Sequence, residues 1–74
     1  MTLDKLNNIF VYHAPHGDQT ERYTKIREAG KSLALCIYKC TPPSADQIAA
    51  IRKVREAVMT ANAAIAINEN RPIE

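Results

Sequence analysis

The apolar positions of this chain fall into two long stripes with steps of three and four residues, preceded by a shorter stretch of mixed pattern. In the first stripe, Tyr23, Ile26, Gly30, Leu33, Ile37 and Cys40 follow one another in steps of 3, 4, 3, 4 and 3. That spacing returns each residue to one face of a helix, as in a heptad seam. Ala29 and Cys36 widen the stripe. The second stripe runs through Ile51, Val54, Val58, Ala61 and Ile65, with Ile48 before it, and its many alanines keep that helix thin. The pattern predicts one helix over about residues 19–40 and another over about 45–67.

Punctuation supports these limits. Thr41-Pro42-Pro43 ends the first helix, because proline lacks the N–H that the next turn needs. Ser44 then stands where an N-cap belongs, with Gln47 in the capping-box position. Asp18 with Glu21 reads as a similar box at the first helix. In the arm, residues 1–18, Thr2 can cap a short helical turn on which Leu3, Leu6 and Ile9 share a face. Phe10-Val11-Tyr12-His13 reads as extended, and Ala14-Pro15-His16-Gly17 as a break. The polar tail, 68–74, reads as frayed.

Two helices of about 22 residues, each ~33 Å long, joined by a short link make an antiparallel hairpin. The expected fold is therefore all-α, an arm followed by a two-helix hairpin in one domain. Two helices bury only the seam between them, and Ile9, Phe10, Val11, Leu35, Tyr38 and Ile67 also need cover. The expectation is a homo-oligomer, since a core of this size rarely supplies more than about 3–5 kcal/mol. Gly30 costs a helix about 1 kcal/mol relative to alanine. Its place on the seam implies close approach by another backbone or by a ligand.

Charge is uneven. The net value is only +2, yet residues 22–55 hold eight cations (Arg22, Lys25, Arg27, Lys31, Lys39, Arg52, Lys53, Arg55) against Glu28 and Asp46. A cationic middle favours an anionic partner. No run approaches the ~20 apolar residues of a membrane span, and no secretory pattern opens the chain, so the expected compartment is a cell's interior. Cys36 and Cys40, one turn apart on a helix, are poorly placed for a disulfide and read as small buried apolar residues.

No catalytic constellation appears: no phosphate loop, no nucleophile elbow, no H-E-x-x-H. His13-x-x-His16 has metal-site spacing but spans a proline and lacks helpers. The expectation is a binder, with neither metal nor cofactor. Tyr12 offers a ring that can stack on a base, a contact of roughly 1–3 kcal/mol. Arg27 and Lys31, one turn apart, suit phosphates, and the arginine plane can also stack on a base.

The order and spacing of several short runs resemble a known family. They are Phe10-Val11-Tyr12-His13-Ala14-Pro15, Gly17-Asp18-Gln19, Arg22-Tyr23, Ile26-Arg27, Gly30-Lys31-x-Leu33-Ala34, and Glu56-Ala57-Val58-Met59-x-Ala61-Asn62-Ala63-Ala64-Ile65-Ala66. Together they look like the helical-hairpin domain of phage anti-defence proteins, the anti-CBASS protein two and the related hairpin of the anti-Thoeris protein one. The resemblance implies a non-enzymatic sponge for cyclic di- and trinucleotide immune messengers, working in the host cytoplasm as a hexamer with pockets between protomers. It implies that Tyr12 and the basic residue fifteen positions on, Arg27, hold a dinucleotide. The family residue there is a lysine, so arginine is a departure that keeps the charge. Lys31 and Asn62 are candidates for a separate trinucleotide site. Polymeric nucleic acid is not an expected partner, given one Phe, three Tyr and no Trp. The alternative is a helical module that binds other proteins and no nucleotide.

Overall fold

A computed structural model describes residues 1–69. It is all-α, with α1 Leu3–Phe10, α2 Gln19–Cys40 and α3 Ala45–Asn68. The long helices form a hairpin, and the molecule is a thin plate of 52 × 27 × 13 Å. Among the described residues, no helix is long and apolar enough to cross a membrane.

Each helix end has a local cause. Thr2 accepts from the Lys5 N–H at 3.1 Å and starts α1. The helix continues one residue further than the expected extended run allowed: Phe10 is helical, and the backbone becomes extended at Val11. Ser44 Oγ accepts the Gln47 N–H at 3.1 Å and starts α3. The second half of the expected box is absent there. Gln47, buried, sends its amide across the turn and donates to the carbonyls of Tyr38 and Thr41, both at 3.1 Å. Those carbonyls belong to the end of α2, where no intrahelical donor remains. One side chain thereby ties the end of one long helix to the start of the next.

The start of α2 differs from the expected Asp18 box. Gly17 takes φ 57°, a conformation that favours glycine. Asp18 follows with φ −89° and ψ 10° and makes no side-chain cap. An N-cap needs an extended backbone to aim its oxygen at the first turn. The Asp18 carboxylate instead pairs with Arg22 at 3.1 Å. Gln19, almost wholly buried, accepts from the His16 N–H at 3.1 Å.

The α3 seam runs as the pattern predicts, through Ile51, Val54, Val58, Ala61 and the buried Ile65. The α2 seam drifts. Tyr23, Ile26, Gly30 and Ile37 are half-buried, but Leu33 and Cys40 are exposed and Ala34 turns inward. A straight helix of 3.6 residues per turn drifts about 20° per heptad, so a strict seven-residue stripe leaves the contact face after two repeats. Gly30 faces α3 across the hairpin. A Cβ added there would collide with Val58 Cγ2 and lie 3.8 Å from Val54 Cγ1. The approach that the glycine permits is therefore made by the facing helix of its own hairpin.

At the open end, Glu69 receives both guanidinium nitrogens of Arg22, one at 2.7 Å, and the Gln19 amide at 3.3 Å. α3 includes Asn68, one residue past the expected end of that helix, and Glu69 is held by this clasp; the rest of the tail expected to fray, 70–74, lies outside the described residues. α1 is attached at the same end, where Asn8 donates its amide to the Ile67 carbonyl at 3.0 Å. His13 Nε2–H donates to the Asn8 carbonyl at 2.7 Å, so this histidine fastens the arm.

Candidate anion-binding grooves

The Gly30–Val58 crossing divides the middle of the hairpin into two flanks. One holds a groove of about 250 Å³ lined by Arg27, Gly30, Lys31 and Ala34 of α2 and Ile51, Val54, Arg55, Val58 and Met59 of α3. The other, of about 470 Å³, shares Gly30, Val54 and Val58 and is otherwise formed by Ile26, Ala29, Leu33, Lys53, Ala57 and Ala61. Small residues open both grooves. The thin α3 and the missing side chain at position 30 leave room that larger residues would fill.

The first groove joins an apolar floor to three cations. Arg27 and Lys31 come from α2, one turn apart, and Arg55 faces them from α3. Such a site can take a ligand with an apolar or aromatic body and anionic groups at its edge. The three positive groups repel one another when the groove is empty, and an anion removes that repulsion. Arg55 is the residue that sequence spacing did not single out. Its partners lie twenty-four and twenty-eight positions away, and only the hairpin register brings them together.

Arg27 also borders a second concavity with Tyr23, Asn62, Ala63 and Ala66. There Asn62 Oδ1 is buried and has no hydrogen-bond partner. An unsatisfied buried acceptor costs about 1–3 kcal/mol, and a donor from a ligand or a second chain would offset that cost. Arg27 thus stands between two concavities, with Lys31 and Arg55 on one side and Asn62 and Tyr23 on the other. Tyr12 lines neither within one chain and is 85% exposed. Its ring is not an anchor packed on its own hairpin.

The remaining chemistry-bearing residues stand apart from these grooves. Cys36 and Cys40 are both exposed in the chain, contrary to the expected burial. The α2 face on which they lie is the one that drifts away from the hairpin contact. Among the described residues, no group of three or more His, Cys, Asp or Glu side chains could hold a metal ion.

Fold and grooves together define a class: a small helical hairpin with a cation-rimmed apolar groove beside its helix crossing. The chain belongs to the Acb2/Tad1 hairpin-domain family, whose model matches residues 2–66. This family is associated with nucleotide sponges. The match takes in α1, α2 and all but the end of α3. No curated protein and no solved structure matches the chain.

Proposed function

We propose that this protein is a non-catalytic phage anti-defence sponge, which sequesters cyclic di- and trinucleotide immune messengers of the infected host in pockets between subunits of a homo-oligomer. The observation that carries this reading is the convergence of Arg27, Lys31 and Arg55 on one apolar-floored groove in a chain of this family. A cyclic dinucleotide presents two phosphates and two base faces in a nearly twofold arrangement. A twofold interface between copies supplies every binding residue twice, which matches that symmetry. In the proposed assembly Tyr12 reaches from one chain to stack on a base, while Arg27 of its neighbour neutralises phosphate or stacks on the opposite face. Lys31 and Arg55 add charge at the groove rim, and Asn62 offers its unpartnered oxygen to an exocyclic amine. The place of action is the host cytoplasm, where such messengers are made.

The test is calorimetry with a panel of cyclic di- and trinucleotides, followed by recovery of the bound ligand. The expected result is tight binding of at least one cyclic dinucleotide and its release intact. Tyr12→Ala and Arg27→Ala should each weaken that binding by roughly a hundredfold, since a lost stacking contact of about 1–3 kcal/mol recurs at both halves. Tyr12→Phe and Arg27→Lys should be mild, because ring face and charge survive. Arg55→Ala should weaken binding more at low salt than at high salt, as expected for a phosphate contact at the rim. No binding across the panel would leave a protein–protein module as the better reading. Recovery of a linear dinucleotide from pure protein would overturn the sponge.

A further inference from the structure

We propose that Cys36 and Cys40 form a two-sulfur chelate on the outer face of α2 that takes one soft monovalent cation, Cu(I). Both cysteines are exposed, and their sulfurs lie 4.0 Å apart. Metal–sulfur bonds of about 2.3 Å let one ion bridge two sulfurs separated by up to about 4.6 Å. The existing spacing therefore admits an ion between the sulfurs without bending the helix. A disulfide asks for far more, since its sulfurs must close to about 2.05 Å from positions fixed one helical turn apart.

The donor set selects the ion. Thiolate sulfur is a soft ligand and prefers soft cations. Zinc in a structural site asks for four protein ligands, and the described residues offer no third or fourth His, Cys, Asp or Glu near the pair. A cation satisfied by two sulfurs is the one that fits. The two thiols lie within hydrogen-bonding distance of each other. On binding, each thiol releases its proton to solvent and each sulfur donates an electron pair. Copper remains Cu(I), and no electron changes hands. The bis-thiolate complex carries one negative charge, and Lys39 supplies a positive charge in the same turn of the helix. The pair lines none of the grooves beside the helix crossing, so this site stands apart from the proposed nucleotide pocket.

The experiment titrates the full chain, in its native association state and without oxygen, with the purple Cu(I)–bicinchoninate complex. The expected result is the withdrawal of one copper per chain. Cys36→Ser and Cys40→Ser should each weaken retention at least tenfold while circular dichroism shows unchanged helicity, as suits substitutions at exposed positions. Light scattering should give the same mass before and after loading. Three results would overturn the proposal. Copper could stay with the competitor. Either single variant could hold it as well as the parent. Binding could saturate at half an equivalent with a doubling of mass, which would make the site a bridge between helices of different copies.

Discussion

Gly30 shows how a single residue can reveal its need without naming its partner. A glycine on a helical seam signals close approach, and that much is visible along the chain. The approaching group is not, because α3 passes over Gly30 at a register set by the whole hairpin. The structure puts Val58 there, and β-branched valine has little freedom to turn aside. Gly30→Ala would gain about 1 kcal/mol of helix propensity. Against that, overpacking costs typically 1–3 kcal/mol. The expected outcome is net destabilisation in urea unfolding, and a larger loss for Gly30→Leu, with helicity retained and the hairpin crossing opened. The double variant Gly30→Ala/Val58→Ala should recover part of the loss. Additive effects of the two substitutions would show that they do not meet. Asp18 is the opposite case, a residue whose local signature misleads. Its sequence context fits a capping box, but Gly17 starts the turn early, and the carboxylate goes to Arg22 while Gln19 takes the His16 N–H. Nothing in a four-residue motif records that competition.

The helices themselves were legible because prolines and cap residues act locally. Pro42 and Pro43 end α2 regardless of tertiary context, and Ser44 caps α3 through a neighbour three residues on. What escaped sequence reading is what joins one element to another. Gln47 reaches nine residues back to Tyr38, Arg22 reaches forty-seven forward to Glu69, and Arg55 joins Arg27 and Lys31 only through the register. The Arg22–Glu69 clasp at the open end makes a testable pH dependence. Hydrogen bonds from Arg22, then from Gln19, hold the Glu69 carboxyl down from 4.5 to about 2. A carboxyl whose folded value is depressed contributes stability that is complete above the unfolded value and lost as pH falls through the folded one. The clasp should therefore act fully above about pH 4.5 and fade toward pH 2. Glu69→Gln should melt below the parent at pH 7, and the two melting curves should converge as pH is lowered through that window. Equal melting temperatures at pH 7 would show that the clasp adds nothing. Salt should narrow the gap as well, because the pair is partly exposed and is screened.

At the scale of the whole molecule, the hairpin lacks an interior of its own. Ile65, at 9% exposure, is the buried hydrophobic residue among those described, while Phe10 is 80% and Leu33 53% exposed. The chain presents 6186 Å² to solvent, whereas a folded monomer of its 8.3 kDa mass would present roughly 4,600 Å². The plate is 13 Å thick in its shortest dimension, about one layer of helix, so neither broad face has anything beneath it to pack against. Further copies of the chain would cover those faces, bring the arm of one protomer to the groove of another, and complete the site proposed for Tyr12 and Arg27. If folding is linked to association in this way, stability must depend on concentration, because anything that binds the folded form alone raises its apparent stability by mass action. The melting midpoint should rise by several degrees across about a hundredfold range of protein concentration, and light scattering at micromolar concentration should report a multiple of the chain mass, with six copies the expected number. Leu33→Glu puts a charge on a groove residue that is exposed in the single chain, so it should cost the isolated hairpin little. In the assembly it should lower both mass and midpoint. A melting curve that keeps its midpoint on dilution, with scattering that reports one chain, would mean that the hairpin folds alone and that the pocket must be built without a second copy.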